Sequence, residues 1–397
     1  MEKQPLRLIA GFVSMLVALS VTVYGFASEY GFASEFREAP RPPAGLVYIG
    51  EPAQVVVNSS FVSPLVEVFG DVAIGQKSFV ASNTIIRADP GTRVCIGNET
   101  NLQDNILVLG SRSLPSPSSF CGSRSSSTQE RTSIAHQAVI VNSRIGKFAF
   151  VGFRSRITNS ILEDGAFVLH GATVTGVRIP KNRLVAIGQT LTTQAQADAL
   201  PFKSEAHSAF QEDVLEVNEE FAEHYSELCE TEGCDAVTGV SIAPRTSWNA
   251  NPVKPTLGVG VWVEEFARLV GDVRLGANSV VGRRTSIRAD EGAPIVIGEN
   301  AVIEERVTFH ALKGTSIHIG RNLATDNNIV FHGPLTVGDN LTIGDDAILF
   351  RSTVGDRVTI GAGAIVVGVR LRDDVQIRDR AVITTQAQAD ALPLRQA

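Results

Sequence analysis

An aliphatic residue recurs at every sixth position over long stretches of this chain, and that spacing excludes most folds. Ile74, Val80 and Ile86 follow it, as do Leu275, Val281 and Ile287. Phe331, Val337, Ile343 and Leu349 continue it, and Val354, Ile360 and Val366 resume it after a one-residue slip. A period of six is neither the 3.6 of a helix nor the 2 of a plain strand. It is the pattern of a β-helix built from hexapeptides, in which each aliphatic side chain turns inward to fill a narrow core. The Gly or Ala that often comes next is expected to serve the turn between faces, where a Cβ would crowd. A chain with 35 glycines and only 6% aromatic residues suits short strands and tight turns.

The pattern occurs twice because the chain is a tandem duplication. IIRADPG (85–91) matches SIRADEG (286–292), and TTQAQADALP stands identically at 192–201 and 384–393. The offset between copies falls from 201 to 191 along the way, which places an insert in the first copy. The Ser-rich stretch 110–133 is that insert and reads as a surface loop. A polar, helix-prone segment at 204–228 follows the first copy, with Phe210, Val214, Val217, Phe221 and Tyr225 at helical spacing. The expected organisation is an export signal or N-terminal anchor at 1–27, a Pro-rich tether at 28–45, a first β-helix plus helix at 46–231, a linker at 232–255 and a second β-helix at 256–397.

The N-terminal assignment rests on Lys3 and Arg7 ahead of an uncharged run from Leu8 to Ala27. Such a run suits a secretory signal, and at about 20 apolar residues it is also long enough to tether the chain to a membrane. Either way the protein is expected to be exported: periplasmic, extracellular or membrane-anchored facing outside. The four cysteines fit an oxidising compartment, and Cys229 and Cys234 are spaced for a local disulfide. A net charge of −7 gives no basic footprint, so nucleic acid is not an expected partner.

Beyond the hexads, the chain carries an ordered set of motifs: the Arg-x-Asp cluster, histidines at 310 and 332, and the closing TTQAQADALP. In that order they resemble the γ-class carbonic anhydrases, twice over, across about 46 to 393. The resemblance implies an all-β repeat fold of two left-handed parallel β-helices in tandem, assembling as trimeric homo-oligomeric rings. It implies a metal, Zn2+ or alternatively Fe2+ or Co2+, held by three histidines, two from one domain and one from its neighbour. The implied reaction is reversible hydration of CO2 to bicarbonate by attack of metal-bound hydroxide.

Neither copy carries all three ligands. The second has His310 and His332 at the outer positions but Asn327 at the middle one. The first has Leu109 and Val141 at the outer positions and His136 at the middle one. Since the middle ligand comes from the neighbouring domain, a complete site needs a first copy against a second copy, and a ring mixing the two would hold one site. The resemblance also assigns Arg288–Asp290 and Arg87–Asp89 as interface ion pairs, Glu291 as proton acceptor and Gln103 as the glutamine beside the metal. Asp104 and Glu305 are expected to be turn carboxylates, and His170, His207, His224 and His318 ordinary surface or turn residues. Two other readings compete: a catalytically silent scaffold or bicarbonate-binding protein, suggested by the missing ligands, and a hexapeptide acyltransferase using a histidine base.

Overall fold

A computed structural model describes residues 54–55, 60–111 and 125–394. The expected signal or anchor at 1–27 and the tether at 28–45 lie outside them. Each copy is a left-handed β-helix whose coils carry three short strands, so that parallel ladders form three faces. In chain order these are a leading, a middle and a trailing face. The middle face of the first β-helix runs from Phe61–Val62 to Leu184–Val185, and its trailing face from Glu67–Phe69 to Thr190–Leu191. The middle face of the second runs from Trp262–Val263 to Gln376–Ile377. The period-six residues, Ile74, Val80, Ile86, Leu275, Val281 and Ile287 among them, are all buried. They fill the two prisms as separate cores.

The glycines that follow the period-six residues stand where a Cβ would crowd, as expected. Gly97 and Gly276 do not have positive φ; a Cβ on either would come within 2.3 Å of backbone atoms of the next coil. They permit close stacking of coils, not left-handed turns. Left-handed residues mark the corners of the coils; at the corner between middle and trailing faces they are Asn83, Asn105, Gln137 and Arg154 in the first β-helix. The matching corner of the second carries Phe266, Arg284, Arg306, Asn328 and Asp346.

Among the described residues, three α-helices accompany the coils. The identical repeats form α1 (Gln194–Asp198) and, at the chain's end, a matching short helix; α1 is closed by a Thr193–Gln196 capping box and its twin by Thr385–Gln388. Between them α2 spans Glu205–Glu232, four residues beyond the expected end, where the Cys229–Cys234 disulfide follows. His207 belongs to its start: the Ser204 backbone N–H donates to Nδ1 at 3.1 Å. Val217, Phe221 and Tyr225 of α2 pack on Phe61, Phe79 and Ala81 of the first middle face. Phe79 and Phe221 stand 5.6 Å apart and Phe61 and Tyr225 5.1 Å.

Two boundaries differ from expectation. The Ser-rich insert is shorter, because Ser125–Thr128 is a strand pairing with Arg93–Cys95 and Ser133–Ile134 is another. Backbone bonding and the buried Thr128, whose Oγ1 accepts the Gly97 N–H, supply what apolar periodicity would otherwise have signalled. Nor is 232–255 a plain linker. Val240–Ser241 heads the trailing face of the second β-helix, making it eight-stranded. The buried Arg268 fastens it, donating to Gly239 O and Ser241 Oγ. Cys95 is buried and disulfide-bonded.

The two β-helices lie side by side, the middle face of the first against the trailing face of the second. Ala135, Phe150, Phe153 and Phe167 pack on Val330, Ile348, Phe350 and Ile365. Removing the fully buried Phe221 ring should unseat α2 from this assembly. Phe221→Ala is expected to cost about 3–5 kcal/mol in denaturant unfolding, the range for deleting a core aromatic.

Candidate metal centre

Strand register sets two of the three ligands. On the trailing face of the second β-helix, Arg288, His310 and His332 are direct neighbours on successive strands, so their side chains stack on one side of the sheet. The first β-helix has Arg87, Leu109 and Val141 in the same register. His136 comes from the opposite side of the joint, one residue before the left-handed Gln137. The ligand nitrogens of His136, His310 and His332 lie within 4.8 Å of one another, all buried. The pairing that the ligand arithmetic requires therefore occurs within one chain, and no second chain is needed to bring the three imidazoles together.

The donor set fits a metal. His136 Nε2 and His310 Nδ1 face each other at 3.2 Å; two nitrogens bound to one tetrahedral zinc stand about 3.3 Å apart. Each imidazole is also held by its outer nitrogen. His136 Nδ1 has the backbone N–H and the carboxylate Oδ2 of Asp104 each at 3.3 Å. His310 Nε2 lies 3.3 Å from Asp290 Oδ1, 3.2 Å from Glu291 Oε1 and 3.1 Å from Arg288 Nη2. His332 Nδ1 is 3.3 Å from Gly333 O. Such outer partners orient a ligand ring and raise its basicity. Burial pulls His136 down to about 4, against the opposing pull of Asp104, and burial likewise holds His332 well below the ordinary value. Both rings are thus neutral at neutral pH, the state a metal ligand needs.

A buried ion cluster joins the halves beside the histidines. Arg288 Nε is 3.1 Å from Asp104 Oδ2 of the first β-helix, and its Nη1 is 3.4 Å from Asp290 Oδ2. Ser286 Oγ donates to Asp104 Oδ1 at 2.8 Å. The Tyr225 hydroxyl of α2 donates to Asp290 Oδ2 at 2.6 Å, and Trp248 Nε1 donates to Asp290 O at 3.0 Å. Burial alone would raise both carboxyls, but Arg288 together with the hydrogen-bonding histidines beside them outweighs it and holds both down, Asp290 near 2. Glu291 behaves oppositely. Burial pushes it up to about 7 despite the nearby His310.

Glu291, His310 and His332 open onto a cavity of about 300 Å3. Gln103 and Glu291 both line it with His310 and His332, so the expected proton acceptor and glutamine share one space. Helix α2 forms its other wall through Phe210, Asp213, Val214 and Asn218. Gln103 Oε1 accepts the His136 backbone N–H at 3.2 Å, leaving its NH2 as the end able to donate elsewhere. Asn218 is buried, and its Oδ1 has no hydrogen-bond partner. Lys313 and Arg351, both exposed, complete the lining.

Other expected positions stand apart from the centre. Arg87 and Asp89 pair at 2.7 Å, but on the part-exposed trailing face of the first β-helix. Asn327 sits in its own corner, its Oδ1 accepting the Glu305 N–H at 3.1 Å. Two expected turn residues prove to be more than that. Asp104 lies in a turn but is the fully buried bridge between His136 and Arg288. His170 also lies in a turn, but it is buried and stacked 4.3 Å from Phe153, whose N–H donates to its Nδ1. His318 is exposed and His224 half-buried beside Glu227, as ordinary surface residues. Sequence reasoning also missed Tyr225, Trp248 and Asn218, because only the packing of α2 and the linker brings them to the site.

The fold and site define a hexapeptide-repeat protein with a buried three-histidine cluster, able to hold a metal, at the joint of two β-helices, and comparison with known proteins agrees with the fold. A carbonic anhydrase of Methanosarcina thermophila is 32% identical over 224 residues, covering 53% of this chain and 86% of the relative. The carboxysome assembly protein CcmM of a Nostoc species is 38% identical over 224 residues, 56% of this chain. This chain spans only 38% of that protein's length. The mitochondrial gamma carbonic anhydrase 1 of Arabidopsis thaliana is 27% identical over 155 residues, 39% of this chain and 53% of the relative. No family model matches. The chain belongs to the γ-carbonic-anhydrase-like family of hexapeptide-repeat β-helix proteins.

The depressed Asp290 gives the joint a pH dependence. A carboxylate whose folded pKa is lowered contributes its stability in full above the unfolded value and loses it as pH falls toward the folded one. The chelator-treated protein is therefore expected to lose thermal stability between pH 3.8 and about 2. Tyr225→Phe, which removes one donor to that carboxylate, should make the loss shallower in a pH series of melting curves.

Proposed function

We propose that this chain is a metal-dependent carbonic anhydrase, interconverting CO2 and bicarbonate at one composite centre per chain. The meeting of His136 with His310 and His332 across the duplicated halves carries the reading: each half supplies what the other lacks. Zinc, or Fe2+ or Co2+ on the same ligands, would supply the Lewis acidity that brings the pKa of water to about 7, a value known from carbonic anhydrases and not drawn from this site.

The protein's own groups cover the remaining needs. Glu291, poised near 7 and 3.2 Å from His310, can take up and release a proton at neutral pH. The Gln103 amide and the unpartnered Asn218 Oδ1 offer a donor and an acceptor to reactants in the cavity. Lys313 and Arg351 on its lining favour an anionic product such as bicarbonate. Phe210, Leu312 and Val217 on the same lining limit access of bulk water.

A second reading, an assembly scaffold without catalysis, draws on the likeness to a carboxysome assembly protein and on the two ligands missing from the first copy. Metal analysis with stopped-flow CO2 hydration separates the two. The carbonic anhydrase reading expects about one metal per chain, and expects His136→Ala to lose it along with more than about 100-fold of the activity, with the circular dichroism spectrum unchanged. Full metal and activity in His136→Ala would sink the composite site. A metal-loaded but inactive wild-type protein would favour the scaffold.

A further inference from the structure

The joint between the β-helices runs along two corners, and homologous positions on those corners carry different side chains. Asn83, Asn105, Gln137 and Arg154 of the first match Arg284, Arg306, Asn328 and Asp346 of the second, each pair sharing the left-handed turn of its coil. The first corner donates to the second. Asn83 Nδ2 donates to Phe266 O at 3.2 Å and Arg284 O at 3.1 Å. Gln137 Nε2 donates to Arg306 O at 2.7 Å and Ile329 O at 3.0 Å. Arg154 Nη1 donates to Asn328 O.

Two ion pairs close the line. Arg154 Nη2 meets Asp346 Oδ1 at 2.5 Å, so counterparts in the duplication stand opposite each other with opposite charge. Arg284 Nη2 meets Glu67 Oε1 at 2.5 Å, with both side chains largely buried. Glu67 in turn is the counterpart of Arg268, 201 residues on.

We infer that these corners form a charge-coded docking surface whose fitting partner is the unlike β-helix of this chain, in one order only. Two first β-helices joined this way would set Arg154 against Arg154 and leave Glu67 facing a neutral asparagine. Two second β-helices would set Asp346 against Asp346 and Arg268 against Arg284. A first and a second in reversed order would keep the Arg154–Asp346 attraction but bring Arg268 to Asn83 with no carboxylate. The Arg154–Asp346 pair thus separates unlike from like, and the Glu67–Arg284 pair separates forward from reverse. Both attraction in the right pairing and repulsion in the wrong ones contribute to such specificity. Only the forward, unlike pairing brings His136 to His310 and His332.

The test uses the full chain with metal chelated, so that it does not depend on the carbonic anhydrase reading. Arg154→Asp gives the joint the acidic face of a second–second pair, and Asp346→Arg the basic face of a first–first pair. Each is expected to lower the melting midpoint by at least about 3 °C. The double reversal should recover more than half of the summed loss. Because Asp346 is half-exposed, the single-variant losses should shrink in 1 M salt. Neutral single variants, or a double variant as unstable as the two losses added, would overturn the inference.

Discussion

The Arg288 guanidinium is the interaction on which the centre depends. It is buried between a carboxylate of the first β-helix, Asp104, and one of the second, Asp290. Taking such charges out of water costs several kcal/mol per ion, so the cluster holds only when every member is in place. Its members also hold the ligands: Asp104 backs His136, and Asp290 with Glu291 backs His310. Closing the joint and orienting the imidazoles are therefore one event. Tyr225 ties α2 into the same cluster, which also fixes the far wall of the cavity.

The two halves have diverged along this joint in a consistent way. The trailing face that meets a partner keeps His310 and His332, while the one turned away has Leu109 and Val141. The middle position carries His136 on the face within this joint and Asn327 on the corresponding face of the second β-helix. Within the single chain that second middle face has Trp262, Val280 and Val302 exposed, at positions where the first has Phe61, Phe79 and Asn101 buried. Arg87–Asp89 retains the motif of Arg288–Asp290 but makes only a part-exposed surface pair, worth little by itself.

The fold was legible because the prism core is so narrow that each inward position must be aliphatic, and the resulting period belongs to no other structure. His310 and His332 were legible because their spacing equals one coil. What stayed hidden was set by packing between elements distant in sequence. Asp104 meets Ser286 across 182 residues, and Tyr225 meets Asp290 across 65. No local pattern reports either. Val240–Ser241 is too short for a period to mark it. The glycines were legible for the same reason as the core, because coils stacked this closely leave no room for a Cβ.

The division of the ligands also imposes a timetable on synthesis. His136 precedes His310 by 174 residues, a delay of roughly 10–35 s at ordinary ribosomal rates. For that interval the first β-helix can coil and seat α2 on its aromatic face, while Asp104 and Tyr225 still await partners on strands not yet made. The three imidazoles can meet only once the second β-helix has been made, so a chain that stops before it holds one ligand of the three.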